Sequence, residues 1–195
     1  MTTPCEAAKI RLEQASERLS HEREVLSGYR EKMSSLEDDH QDLTRRFEDA
    51  SSLVVENERQ WESARETLRN AIDADKEAET KYKYWQDQNT KLRNGEQTVH
   101  SGEPNEKALV EADLDRARDV DVAASKARTS AENSVKEAKK RHDRSKTFLQ
   151  EKADAKTANE DARSTLRNKI EVQEEAVSAA EESKRNAEAA VNEHC

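Results

Sequence analysis

Glycine and proline are scarce in this chain, three and two of 195 residues. Disordered chains are usually richer in both, so the scarcity favours long uninterrupted helices. Aromatic residues make up 4% and the whole apolar set 32%, against about 45–50% in a globular domain, which excludes a compact core of ordinary size. No apolar run approaches the roughly 18 residues of a membrane span. The opening Met1-Thr2-Thr3-Pro4-Cys5-Glu6 has neither a basic nor an apolar segment, so no signal peptide is expected. What is abundant is charge. Ionisable residues are 39%, the net charge is -9, and the mean hydropathy is -1.22. Two classes survive these exclusions: a disordered chain, or helices that bury only a narrow stripe.

The helix breakers are gathered in one place. The segment Asn94 to Asn105 holds Gly95, Gly102 and Pro104, two of the three glycines and one of the two prolines, and reads as a loop. Gly95 after Asn94 suits a helix C-cap, and Asn105 after Pro104 suits an N-cap. Pro4 falls in the first turn of a first helix, where its missing N–H costs little. Gly28 falls within that helix and costs about 1 kcal/mol against alanine, too little to break it. The reading is a first helix over 5–94, a hairpin loop over 95–105 and a second helix over 106–195, together one elongated domain.

Heptad counting separates the two surviving classes. With position a at Cys5 and every seventh residue after it, apolar or aromatic residues fill 21 of the 26 a and d positions as far as Leu92. Only 8 of the other 62 residues between Cys5 and Leu92 are apolar. Thirteen heptads without a slip specify a left-handed coiled coil, and a disordered chain has no reason to keep such a period. The fold class is therefore all-α, a long antiparallel helical hairpin of two helices of about 90 residues, more than about 80% helical.

The second arm differs in kind. In the same labelling its a set is mostly small, with Ala117, Ala124, Ala131, Ala138, Ala180 and Ala187. Its d set includes Val120, Ala127, Phe148, Ala155, Ala162 and Ala176, and aliphatics stand at e: Leu114, Val135, Leu149, Ile170, Val177 and Val191. An a/d/e stripe is broader than a two-helix seam needs. It leads to the expectation that the e-position aliphatics drive dimerisation into a four-helix rod. Polar entries from Ser145 to Asn159 mark a weaker stretch.

Folding about residue 100 pairs positions whose numbers total about 200. The acidic run Glu171, Glu174, Glu175, Glu181 and Glu182 then lies near Arg18, Arg23, Arg30 and Lys32. The basic block Lys136, Lys139, Lys140, Arg141, Arg144 and Lys146 lies beside Glu56, Glu58, Glu62 and Glu66. Cys5 and Cys195, the only cysteines, meet the same total, so a disulfide between them is expected at the open end of the hairpin. Such a bond implies an oxidising compartment and favours an extracellular or cell-surface location; free thiols favour the cytoplasm or cytoskeleton.

Catalytic and cofactor signatures are missing. There is no glycine-rich phosphate loop and no nucleophile elbow, and a two-helix rod offers no concave pocket, so the chain reads as non-enzymatic with no cofactor. His194 with the two cysteines lacks the spacing of a zinc site, so no metal is expected. His40, Asp75, Asn89, Asn57 and Glu22 interrupt the seam and read as register specifiers, while His21, His100 and His142 have no recognisable partner. Net charge and the absence of interleaved aromatics argue against nucleic acid, and the acidity argues against a membrane surface.

One cluster stands apart. Lys81-Tyr82-Lys83-Tyr84-Trp85 gathers three of the seven aromatics beside the loop. Tyr82 and Trp85 fall on a and d, whereas Tyr84 falls on c and faces solvent. Tyr84, with Lys81, Lys83 and Trp85, is the candidate partner contact. The function expected is a structural or interaction coiled-coil rod presenting its tip or flank to a protein, as in a surface coat or stalk. A cytosolic scaffold or a membrane-associating helical dimer is the alternative.

Overall fold

The computed structural model describes residues 3–195 and is 93% helical. Helix α1 spans Pro4–Arg93 and helix α2 spans Glu106–His194, and the two pack against each other as a hairpin without strands among the described residues. The chain divides into two compact units, one formed by residues 1–49 with 149–195 and the other by residues 50–148.

The start of α1 is built by a reciprocal pair. Thr3 N–H donates to Glu6 Oε2 at 2.8 Å, and Glu6 N–H donates to Thr3 Oγ1 at 3.3 Å, a capping box with Pro4 in its first turn. The hydrogen bond from the Thr3 backbone, above all, holds the Glu6 carboxyl below its usual range.

All 26 a and d positions of α1 between Cys5 and Leu92 are buried or half-buried. In the first unit Ala8, Ala15, Leu19 and Leu26 face a core completed by Leu166, Ala180 and Ala187. In the second, Ala50 and Ala78 share the interior with Val110, Ala117, Ala131 and Ala138. Alanine on one helix leaves room for the larger side chains of the other, which lets the backbones approach.

In the second unit the face that α2 presents is narrower than the a/d/e stripe of its sequence. Positions a and e are inside, with Leu114, Val135, Leu149, Ile170, Val177 and Val191 half-buried in the hairpin. Position d is split: Val120 and Phe148 are exposed, whereas Ala155, Ala176 and Ala190 are half-buried. An antiparallel helix sets its own 3–4 alternation; labels carried across the loop from α1 do not apply to it. The e-position aliphatics thus line the intrachain seam and keep part of their surface exposed.

The hairpin loop covers residues 94–105. Gly95, at φ +71°, ends α1 in a Schellman arrangement: Glu96 N–H donates to Lys91 C=O at 2.9 Å and Gly95 N–H to Leu92 C=O at 3.2 Å. Asn105 does not act as a side-chain cap. It takes a left-handed backbone, φ +71°, which asparagine tolerates, and its carbonyl accepts the first helical bond from Leu109. Glu106 instead ties the loop to α2, accepting from Thr98 Oγ1 and from Ser101 Oγ.

Truncating a buried seam leucine tests this packing. Leu26→Ala should lower stability by about 2–3 kcal/mol in urea unfolding followed by circular dichroism. Val172→Ala, at the most exposed large apolar side chain, should stay within about 0.5 kcal/mol. Equal effects of the two would refute the assigned seam.

Candidate functional site

The tip is assembled from the last turns of α1, the loop and the first turns of α2, all within the second unit. Trp85, half-buried at its d position, stacks on His100 with ring centroids 5.7 Å apart and planes 14° from parallel. His100 Nε2 lies 2.9 Å from Asp113 Oδ2, so loop, α1 and α2 are joined through one imidazole. Tyr84 sits edge-on to Trp85 at 5.3 Å and keeps 46% of its surface exposed. One helical turn further, Gln88 is buried and its Oε1 accepts from Val99 N–H at 2.9 Å, which fixes a second exposed apolar side chain, Val99, on the loop.

The flanking lysines are engaged within their own helix. Lys81 bonds Glu77 and Lys83 bonds Glu79, each one turn back. These hydrogen bonds, reinforced by the lysine charges, hold both carboxyls below the usual glutamate range. Trp85 serves as the frame for Tyr84, and Tyr84 on α1 and Val99 on the loop are each exposed. The i, i+4 spacing that neutralises the lysines was already visible in the sequence.

In the first unit Cys5 and Cys195 are brought together with Cα atoms 5.0 Å apart and sulfurs at disulfide distance. Helix α2 ends at His194 and Cys195 N–H still donates to Val191 C=O at 3.0 Å, so the chain reaches Cys5 by leaving the helix one residue early. His194 and His21 are exposed, and among the described residues no three His, Cys, Asp or Glu side chains gather in a way that could hold a metal ion.

His142 was missed in the sequence. It is 2% exposed in the second unit, stacks on Trp61 at 5.5 Å, and neither ring nitrogen has a hydrogen-bond partner. The Arg65 guanidinium covers the same tryptophan, 5.4 Å from its centroid. Position e of α2 is a seam position, and only that assignment turns His142 inward. Two members of the acidic run pair across the helices, Glu181 with Arg23 and Glu174 with Arg30, both at 2.7 Å, while Arg18 pairs with Glu22 on its own helix. The basic block lacks the expected pairs: among the described residues no ion pair joins it to Glu56, Glu58, Glu62 or Glu66, and Lys140 pairs with Glu137 on its own helix. Its members lie at positions b, c, d, f and g, outside the a/e seam face of α2.

Among the described residues no helix is long and apolar enough to cross a membrane. Comparison with protein-family models, with curated proteins and with solved structures finds no match to this chain.

Two measurements check this geometry. His100→Ala should free Trp85 and shift its emission to the red in a Trp61→Phe background, and an unchanged spectrum would refute the stack. The second concerns charge. A carboxyl held low in the folded state contributes stability above its unfolded pKa, lost as pH falls through the folded value. Glu77 and Glu79 should therefore titrate below ordinary glutamate by carboxyl NMR; ordinary values would show that the lysine pairs do not persist.

Proposed function

We propose that this chain is a non-enzymatic structural protein, a coiled-coil rod that presents its hairpin tip to a protein partner, in the manner of a surface coat or stalk. The observation that carries this reading is the exposed pair Tyr84 and Val99 on a frame immobilised by Trp85, His100, Asp113 and Gln88. An interface anchor works best when large apolar area is presented with little conformational entropy left to lose. Tyrosine on a fixed aromatic support meets that requirement.

The grooves along the seam support the non-enzymatic part. One of about 460 Å³ runs open between Lys32 and Leu36 of α1 and Leu166 and Lys169 of α2, unlike the enclosed clefts that shift catalytic groups. The cysteines at disulfide distance favour the surface form over a cytosolic scaffold, since such bonds persist in oxidising compartments. The net charge of -9 weighs against both nucleic acid and an anionic membrane as partner.

A photo-crosslinking side chain at position 84 tests the tip, with one at Val172 in the other unit as reference. A single protein captured at 84, absent at 172 and displaced by excess unmodified chain but not by its Tyr84→Asp/Val99→Asp variant, is the expected result. Equal capture at both positions would overturn the proposal. Under oxidant, Cys5→Ser/Cys195→Ser should lower the melting temperature by several degrees, the loop-entropy model allowing about 5 kcal/mol. An unchanged melting temperature would show that the pair is no staple.

A further inference from the structure

Two of the three ion pairs that join α1 and α2 among the described residues of the first unit do not determine how the helices are aligned. The third, Arg163 with Glu37 at 3.7 Å, would be lost on a one-heptad slip, which sets Arg163 against Thr44 or Arg30. Arg23 and Arg30 are seven residues apart, and so are their partners Glu181 and Glu174. Sliding α2 by one heptad leaves Arg30 facing Glu181 in one direction and Arg23 facing Glu174 in the other. The apolar seam is equally tolerant, because leucine and alanine recur at the same period along it.

Two amide side chains also bond across this seam, and one of them reaches a side chain. Asn159 Nδ2 donates to the Leu36 carbonyl at 3.2 Å, and Gln173 Nε2 donates to the Glu22 carbonyl at 3.0 Å and also to the Glu22 carboxylate. The contacts are two heptads apart on both helices, and all three bonds are partly buried. Glu22 is steadied from its own helix by Arg18 at 3.8 Å. A slip of one heptad would give Asn159 an equivalent backbone carbonyl at Leu43 or Tyr29, so its bond carries no register information. Gln173 would move to Tyr29 or Ala15, which offer a backbone carbonyl but no carboxylate. The Glu22 carboxylate would be pressed onto Leu166 or Ala180, both buried apolar positions. Leaving a carboxylate unpaired in a seam is strongly unfavourable, whereas exposed ion pairs contribute little either way.

We infer that Gln173, bonded to the Glu22 carboxylate, is the positioning residue that sets the register of the first unit and so brings Cys5 opposite Cys195, with the Arg163–Glu37 pair acting in the same sense.

The cysteine pair supplies the readout. One heptad is about 10 Å of helix, beyond the roughly 7 Å across which two Cα atoms can be bridged. In the full-length chain, the effective concentration of Cys5 for Cys195 is measured against a glutathione buffer, with helicity and sedimentation alongside. Gln173→Leu should stay helical, lose about tenfold or more in effective concentration, and form intermolecular disulfides. Arg23→Gln/Arg30→Gln should leave the value unchanged. Should the leucine variant fail to fold, Glu22→Gln, which keeps a polar partner for Gln173, should retain the wild-type value, and Glu22→Leu should lower it. Wild-type effective concentration in the leucine variants, or an equal loss in the arginine variant, would overturn the inference.

Discussion

The structure depends on one constraint: within the chain, each helix has only the other against which to bury its apolar stripe. Large side chains from α1 therefore meet mostly small ones from α2, and few residues become fully enclosed. Most seam residues keep a flank in contact with water. Stability in such an arrangement is a sum of many shallow contributions spread along both helices, so the ends, where pairing stops, acquire unusual weight.

The two ends are closed by different chemistry. At the tip, Gly95 reverses the backbone, and one histidine joins Trp85 to Asp113 across the loop. That stack turns a twelve-residue connection into a fixed platform for Tyr84 and Val99. In the other unit the closure is the approach of Cys5 to Cys195, supported at the start of α1 by the Thr3–Glu6 box. A cross-link joining positions so far apart in sequence has its largest effect on the unfolded chain.

Polar residues within the seam have two fates. Asn159 and Gln173 hydrogen-bond across it, whereas His142 is covered by Trp61 and bonds nothing through its ring. The first kind gains partners on the facing helix, Gln173 reaching a carboxylate as well as a carbonyl; the second accepts an unpaired group in exchange for stacking area. Charged residues mostly pair one turn away on their own helix, as Lys81, Lys83 and Lys140 do, which leaves the outer surface locally neutralised.

How far the sequence reaches follows from which interactions are local. The period of apolar residues in α1, the position of the glycines and the placement of both cysteines required only counting, because helix geometry converts spacing directly into facing. Tyr84 was legible as exposed for the same reason. The inward face of α2 was not, since an antiparallel helix answers to the residues opposite and not to labels continued from its neighbour. His142 and the outward turn of Val120 and Phe148 follow from that facing alone. Likewise, a glutamine at position 173 carries no sign of its acceptor: the Glu22 carbonyl is 151 residues away, and only packing of the two helices brings it within a hydrogen bond. By itself the sequence determined two helices, their turning point and the stripe on the first. Tertiary structure decided which face of the second helix closes the seam and which polar groups align it, because both are properties of contact between helices and not of either helix alone.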